Sequence, residues 1–245
     1  MSGGRETPAS PAALTAFALL ALAAMIGLAS LGLWQVHRLA WKRDLIHRVE
    51  ERIHAPAIDA PDPSQWPHLN AANSEYLRVR ATGRFLNDRE SLVQAVTELG
   101  GGFWLITPLR TTQGYVVLVN RGFVPPTYRE NAIGRIEGVT TVTGLVRMSE
   151  PGGAFLRHND PAANRWFSRD IAAIAEQRGL ADIAPYFIDA AAESSAPPGA
   201  PVGGLTVIRF PNNHLQYAIT WFALAVMVGG GAVLVLRREW RLRRR

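Results

Sequence analysis

Residues 215–236 read LQYAITWFALAVMVGGGAVLVL, and residues 237–245 read RREWRLRRR. The first stretch has no charged side chain and exceeds the roughly 20 apolar residues that cross a ~30 Å hydrocarbon core. It is read as a membrane span over 214–236. The second holds six arginines against one glutamate, which is +5 of the chain's net charge of +6. A basic run directly after an apolar span marks the cytoplasmic side of a membrane. The rest of the chain is nearly neutral, so the basic balance is a topology signal and nucleic acid is not an expected partner.

The other end carries a matching run. From Thr7 to Val36 there is again no charged side chain. A cleaved signal peptide would have an apolar core of 7–15 residues. This run is about twice that, and it passes into Trp34-Gln35-Val36-His37-Arg38 without a turn or an A-x-A site. An uncleaved span over 11–36 is expected, opened by Pro11, a favourable first-turn residue. The helix is expected to leave the membrane unbroken over 37–56, where Leu39, Ile46, Val49 and Ile53 form a stripe at helical spacing. Pro56 ends it, because the residue before a proline disfavours helix.

Two spans put both termini on one side. The arginine tail 237–245 makes that side the cytoplasm, with 1–10 as a short cytoplasmic N-terminus and 57–213 beyond the membrane. Arg38, Lys42, Arg43 and Arg48 oppose this, but long translocated domains are largely exempt from charge counting. The N-terminus is neither long nor Arg/Ser-rich as a presequence would be, which points to a bacterial inner membrane and a periplasmic domain.

Composition bounds that domain. The chain is 48% hydrophobic and 19% charged, so it is expected to fold, and it contains no cysteine. Disulfides, thiolate catalysis and Cys-based metal sites are thereby excluded. Ala57–Asn73 is proline-rich and reads as an extended linker. Five runs rich in valine, threonine and aromatics then read as strands: Tyr76–Phe85, Leu92–Thr97, Phe103–Arg110, Tyr115–Phe123 and Thr140–Met148. Thr111-Thr112-Gln113-Gly114 suits a hairpin turn. A short helix follows, with Ser168 as N-cap, Asp170 at its positive end and Gly179 after its last turn. Phe187–Ala190 and Leu205–Arg209 could add two strands around the loop Ser194–Gly204. The predicted fold is a membrane protein of α+β class. Two terminal transmembrane helices flank a β-rich barrel or small sandwich with a short helical insert.

The usual enzyme signatures are missing: no G-x-S-x-G, no H-E-x-x-H, no Walker sequence, and no G-x-G-x-x-G after a strand. His37, His47 and His54 lie on one charged helix without a matching set of carboxylates, and read as solvated. Gly100-Gly101-Gly102 reads as a loop tip, since no helix follows to make it a phosphate cradle. Arg121, in Asn120-Arg121-Gly122, is expected to be buried and to satisfy loop carbonyls. Asp160, Asp170 and His158 would be the acid–base groups of a membrane-anchored hydrolase, but no nucleophile stands with them.

The informative stretch is Asn212-Asn213-His214-Leu215-Gln216-Tyr217, continuing to Trp221. The asparagines suit the start of a helix, and His214, Tyr217 and Trp221 at i, i+3 and i+7 share one face. With two spans, the end of the first helix and the start of the second reach the same membrane surface. Trp34, Gln35 and Arg38 can then converge on His214 and Tyr217. Two readings fit. An imidazole, aromatic walls and a guanidinium suit a haem and its propionates. An aromatic belt at the headgroup level, with a capping or snorkelling histidine, uses the same residues.

The chain also resembles a known family, the Surfeit locus proteins, which are cytochrome oxidase assembly factors. The stretches that carry the likeness run along most of the chain. They are Leu31-Gly-Leu-Trp34-Gln35 with Arg38 and Lys42; Gly83-Arg-Phe85; Thr107-Pro108-Leu109; and Val119-Asn120-Arg121-Gly122-Phe123-Val124-Pro125. Further on come Arg165-Trp166-Phe167 with Asp170; Pro201-Val202-Gly203-Gly204; and Asn213-His214-Leu215-Gln216-Tyr217 with Trp221.

The resemblance implies a non-enzymatic chaperone that assists insertion of haem a into subunit I of a haem-copper oxidase. It makes His214 the candidate haem-iron ligand, with Tyr217, Trp221, Trp34, Gln35 and Arg38 as the cofactor-binding set. Gly83, Asn120, Arg121, Gly122, Pro125, Gly203 and Gly204 become structural motif residues. Implied partners are cytochrome c oxidase subunit I, a haem a synthase and the lipid bilayer. A scaffold for nascent subunit I that carries no haem, and the anchored hydrolase, remain as alternatives.

Overall fold

Along Arg78–Phe85 buried and exposed residues alternate, with Val79, Ala81 and Phe85 turned inward and Arg78, Arg80 and Arg84 outward. That is the period-2 pattern of a strand with one wet face. Val116–Val124 differs, being buried on both faces along most of its length. The architecture explains the contrast. The computed structural model describes residues 9–128, 135–154, 156–193, 197–206 and 210–244. The chain divides into two units, Met1–Arg48 with Arg209–Arg245, and Val49–Ile208.

The described elements are α1 (Pro11–His54), β1 (Ile58–Asp59), α2 (Ala71–Ser74), β2 (Arg78–Phe85), β3 (Ser91–Thr97), β4 (Gly100–Thr111) and β5 (Val116–Val124). They continue with β6 (Val139–Met148), β7 (Gly153–Ala154), β8 (Arg157–His158), α3 (Ile171–Gln177), β9 (Ile183–Ala190) and α4 (His214–Arg243). In the central unit the strand order is β1-β2-β6-β9-β5-β4-β3, and β2 also pairs with β4. That extra pairing turns a sheet into a closed barrel of β2, β6, β9, β5 and β4. Of the two expected forms the barrel is the one found.

Closure depends on Gly83. It pairs with Thr140 of β6 on one side and Thr111 of β4 on the other. A Cβ there would stand 2.2 Å from the Arg110 carbonyl. No side chain is tolerated at such a crossing.

The core has two layers. Val79, Phe85, Val117, Val119, Tyr186 and Ile188 fill the barrel. The alternate residues of the same strands, including Leu118 and Phe187, pack outward with Ile106 and Val93 against Trp166, Ile171 and Ile174. So α3 covers the outer face of β5 and β9, which is why β5 is dry on both sides.

Several expectations are corrected. Ala57–Asn73 is no plain linker. It contributes β1, a tight turn at Trp66–His68 and α2, and the Pro61 carbonyl accepts from both Trp66 Nε1 (3.1 Å) and Tyr186 Oη (2.8 Å). Gly100-Gly101-Gly102 is the start of β4, not a loop tip, and a Cβ at Gly102 would meet the Val124 carbonyl at 2.4 Å. Asp170 is the N-cap of α3, accepting from the Ala173 amide, while Ser168 donates to the Glu150 carbonyl. Gly179 does follow the last turn of that helix, at φ +59°.

Leu205 and Thr206 lie outside any strand; 207–209 of that expected strand, 194–196 of the expected loop, 1–8 of the N-terminus and residue 245 of the tail fall outside the described residues.

A buried ionic network ties the barrel to the chain that returns from it. Asp189 on β9, its side chain 3% exposed, accepts from Asn120, Arg169, Arg147 and Thr206. Arg147 also pairs with Glu75, and Arg169 with Glu150. Val202 bridges to Phe123, which brings the Val202 carbonyl to 2.2 Å from where a Cβ of Gly122 (φ +128°) would lie. Gly204 donates to the Ala190 carbonyl, and a Cβ at Gly203 would stand 2.7 Å from the Ala191 carbonyl. Pro125 ends β5, and its carbonyl accepts from the Tyr128 amide.

Arg121 is buried as expected, but its ion partner is a carboxylate. Glu90 lies 3.6 Å away, with the two side chains 8% and 7% exposed. Burial draws the Arg121 pKa down against the opposing pull of Glu90. Replacing Arg121 with Met leaves Glu90 charged and buried, and is expected to cost about 3–5 kcal/mol. Adding Glu90→Leu should recover most of it, as measured by denaturant unfolding of the detergent-solubilised chain.

Glu150 adds a pH dependence. Burial raises its pKa, but the Arg169 hydrogen bond and charge, with Arg147, outweigh that and hold it below the ordinary 4.5. The folded form therefore binds its proton less readily than the unfolded chain. Its stabilisation is complete above pH 4.5 and is lost as pH falls through the depressed value. Thermal melts of the Glu150→Gln variant between about pH 3 and about pH 7 should show a weaker acid slope than the parent.

Candidate functional site

The helical unit begins from two segments too apolar to be stable in water. Of their most apolar stretches, 0% of α1 and 6% of α4 is buried, and Leu19, Leu20, Ile26, Ile219, Val226 and Leu234 are all exposed. Both helices are long and apolar enough to cross a membrane.

Within this unit α1 and α4 touch at Gly32 and Phe222, at Met25 and Gly229, and at Gln35 and His214. On α1 the inner face is Gly32, Gln35 and Leu39, at i, i+3 and i+7. On α4 it includes Ala218 and Ala225, 2% and 7% exposed. Gly32 lets the Phe222 ring lie on the α1 backbone, since an added Cβ would stand 2.7 Å from that ring.

The pair runs antiparallel and carries a polar clasp at each end. At one, the Ala9 amide donates to Glu239 and Arg243 donates to the Ala9 carbonyl. At the other, His214 Nδ1 lies 2.7 Å from Gln35 Oε1. The clasps are separated by about 38 Å of helical rise, at 1.5 Å per residue. That exceeds the ~30 Å apolar core of a bilayer.

Of the residues singled out from sequence, the structure joins Gln35 and His214 directly. Gln35 is 8% exposed and His214 is half-buried at the first turn of α4. Trp34 and Tyr217 stand open, 57% and 52% exposed, and Trp221 is half-buried. Arg38 is exposed and its guanidinium lies 3.9 Å over the ring of Trp41 on its own helix. Around one part-buried hydrogen bond there is thus an open surface of indole, phenol and guanidinium.

Three features were not foreseen. Lys42 lies 5.0 Å over the Phe210 ring. Asn213 occupies the N-cap position of α4, yet its side chain makes no cap hydrogen bond. Among the described residues Asn212 Oδ1, a buried acceptor, has no hydrogen-bond partner. The asparagine pair was visible in the sequence as a cap signal, yet neither side-chain oxygen caps α4 among the described residues.

The fit to a haem can be weighed on these residues. With Gln35 Oε1 as the acceptor, a proton on Nδ1 of His214 would complete the hydrogen bond, and a neutral ring would then keep its lone pair on Nε2. Among the described residues no three His, Cys, Asp or Glu side chains cluster to hold a bare metal ion. An iron porphyrin needs only one imidazole from the protein. The donor set fits a haem and not a bare ion.

The acid–base groups of the hydrolase reading are otherwise engaged. Asp160 pairs with Arg165 at 2.7 Å, a hydrogen bond that lowers its pKa, and Asp170 caps α3.

The barrel has cavities of its own. One of about 200 Å³ is lined by the Asp189 network, whose charges are all paired. Another of about 400 Å³ is lined by Phe103, Leu105, Trp166, Phe167 and Tyr128, with Arg165 and Arg178 among its polar residues.

Comparison with known proteins bears on most of the chain. Residues 22–226 match the model of the SURF1 family. A SURF1-like protein of Monosiga brevicollis is 38% identical over 213 residues, covering 80% of this chain and 78% of its own. Surfeit locus protein 1 of Homo sapiens is 37% identical over 218 residues, covering 80% and 69%. Surfeit locus protein 1 of Mus musculus is 36% identical over 230 residues, covering 85% and 71%.

Proposed function

The chain belongs to the SURF1 family, and from that premise we propose that it is a non-enzymatic assembly factor for a haem-copper cytochrome c oxidase. Its role is to bind haem a and assist its insertion into subunit I. The observation that carries this reading is the Gln35–His214 hydrogen bond at 2.7 Å, set among exposed aromatics.

The chain's residues divide the work of holding such a cargo. His214 Nε2 offers the lone pair that iron accepts. Trp34, Tyr217 and Trp221 give apolar and aromatic surface to a flat ring. Arg38 is the guanidinium for a propionate, and Lys42 a second cation close by. The clasp lies at the end of an apolar helix pair, so a ligand with a hydrocarbon tail and carboxylates meets lipid on one side and water on the other.

No catalytic group is needed, because a carrier only has to bind its cargo less tightly than the recipient does. The natural partners are a haem a synthase as donor and oxidase subunit I as acceptor.

On this reading α1 and α4 span the inner membrane of a bacterium. Arg237, Arg238, Arg241, Arg243 and Arg244 keep the far end cytoplasmic by the positive-inside rule. The barrel is then periplasmic, and binding to nucleic acid has no part.

One observation favours a second reading, in which the barrel docks nascent subunit I and no haem is carried. The aromatic cavity of about 400 Å³ is of ligand-pocket size.

Expression beside the haem a synthesis enzymes separates the two. The detergent-purified chain should carry haem a by absorption spectrum and stoichiometry. His214→Ala should lower its occupancy at least about tenfold, the loss that even an outer-shell change causes at metal sites. The variant should stay folded and membrane-inserted. Haem retained unchanged in His214→Ala would refute the ligand assignment, and a haem-free parent chain would leave the docking reading.

A further inference from the structure

Neutral imidazole has one N–H, and the position of that hydrogen decides which ring nitrogen can serve as a ligand. At the start of α4 the decision falls to a residue of the other helix. We propose that Gln35 is a positioning residue that selects the Nδ1–H tautomer of His214 and so keeps Nε2 free. Its geometric part stands on the helix pair alone, and its purpose rests on the haem-carrier reading above.

Three facts support the assignment. The Nδ1–Oε1 distance of 2.7 Å is that of a strong hydrogen bond. Gln35 is 8% exposed, so water competes poorly for its amide oxygen. Both residues have fixed places on regular helices, Gln35 on the buried face of α1 that also carries Gly32 and Leu39, and His214 as the first residue of α4.

Turning the Gln35 amide over would reverse the outcome. Its NH₂ would donate to Nδ1, the proton would sit on Nε2, and the ring would offer iron no lone pair on its open side.

The choice of glutamine over a carboxylate has a physical sense. A ligand histidine is ordinarily oriented by a carboxylate or a carbonyl, and the anionic partner raises its basicity and tightens the metal bond. An amide orients the ring equally well and adds no charge. A carrier that must give up its cargo is served by orientation without that tightening.

A merely structural clasp between α1 and α4 would make the same contact, so the test has to read the tautomer itself. In the full-length chain without haem, ¹⁵N NMR of the His214 ring should show Nδ1 protonated. Gln35→Met keeps the volume and apolar packing but removes the acceptor. It should shift the ring toward the Nε2–H form and lower haem a occupancy about tenfold. Gln35→Glu restores an acceptor, should keep Nδ1 protonated, and should retain haem at least as well as the parent.

An Nε2–H ring in the parent chain would overturn the proposal, as would an unchanged tautomer in Gln35→Met. It would also fail if Gln35→Glu behaved like Gln35→Met. If Gln35→Met does not insert, the parent tautomer and the Gln35→Glu result still decide. Should the tautomer follow Gln35 while His214→Ala keeps its haem, the tautomer control stands and the carrier reading falls.

Discussion

The carboxylate of Asp189 is the point on which the barrel unit turns. It is almost wholly buried, and it accepts from Asn120 on β5, Arg147 on β6, Arg169 ahead of α3 and Thr206 on the returning chain. A buried anion is tolerated only when its lone pairs are filled and its charge is met. Here four elements supply the donors, so each is fixed by the requirement of the others. Arg147 and Arg169 are in turn committed to Glu75 and Glu150, and their guanidiniums stack on Tyr76 and Phe187. Removing the carboxylate would take one anion from each of two guanidiniums, leaving Arg147 with Glu75 and Glu150 and Arg169 with Glu150. The network thus sets where β9 lies between β5 and β6, and where residues 203–206 must run.

Much of the barrel was legible because its strands declare themselves locally. Valine, threonine and aromatics between glycines and prolines gave all five early strands to within a few residues, and the Gly114 turn fell where the sequence placed it. The failures share a cause. In Ala57–Asn73 the prolines signal extension correctly, but the order there comes from Trp66 and Pro61 meeting Tyr115 and Tyr186, far along the chain. Gly100–Gly102 looks like a loop by composition, and is strand, paired with Ala95–Thr97 of β3, with Phe123 and Val124 leaving no room for a side chain at Gly102. Arg121 is buried as expected, and what was not foreseen is the Glu90 carboxylate beside it, from elsewhere in the fold. Non-local partners decide each of these, and no window of sequence contains them.

The helix pair was legible in a different way. Length and absence of charge identify both segments, and covalent order then requires their ends to meet. That reasoning predicts a neighbourhood without predicting contacts. Gln35 and His214 do meet, while Arg38 turns to Trp41 and Trp34 and Tyr217 remain open. The spacing of His214, Tyr217 and Trp221 puts them roughly on one side of α4, but α1 packs beside that line, through Ala218 and Ala225. Small residues decide where two helices touch, and the large ones are displaced to the flanks.

The two units treat polarity in opposite ways, and the contrast bears on function. In the barrel the buried charges of Asp189, Arg147, Arg169, Glu90 and Arg121 are met by opposite charges, an arrangement that costs much desolvation and yields a single rigid geometry. In the helix pair the described polar contact at the α4 start is the hydrogen bond between His214 and Gln35, with half-exposed or exposed groups around it. A site meant to hold its ligand permanently would be expected to resemble the barrel network, with charged orienting partners and closed walls. A site meant to pass its ligand on needs a defined ligand nitrogen, apolar surface and an open side. On the carrier reading proposed above, Gln35, His214, Trp34 and Tyr217 would supply those three properties, and among the described residues no charged side chain pairs with the His214 clasp.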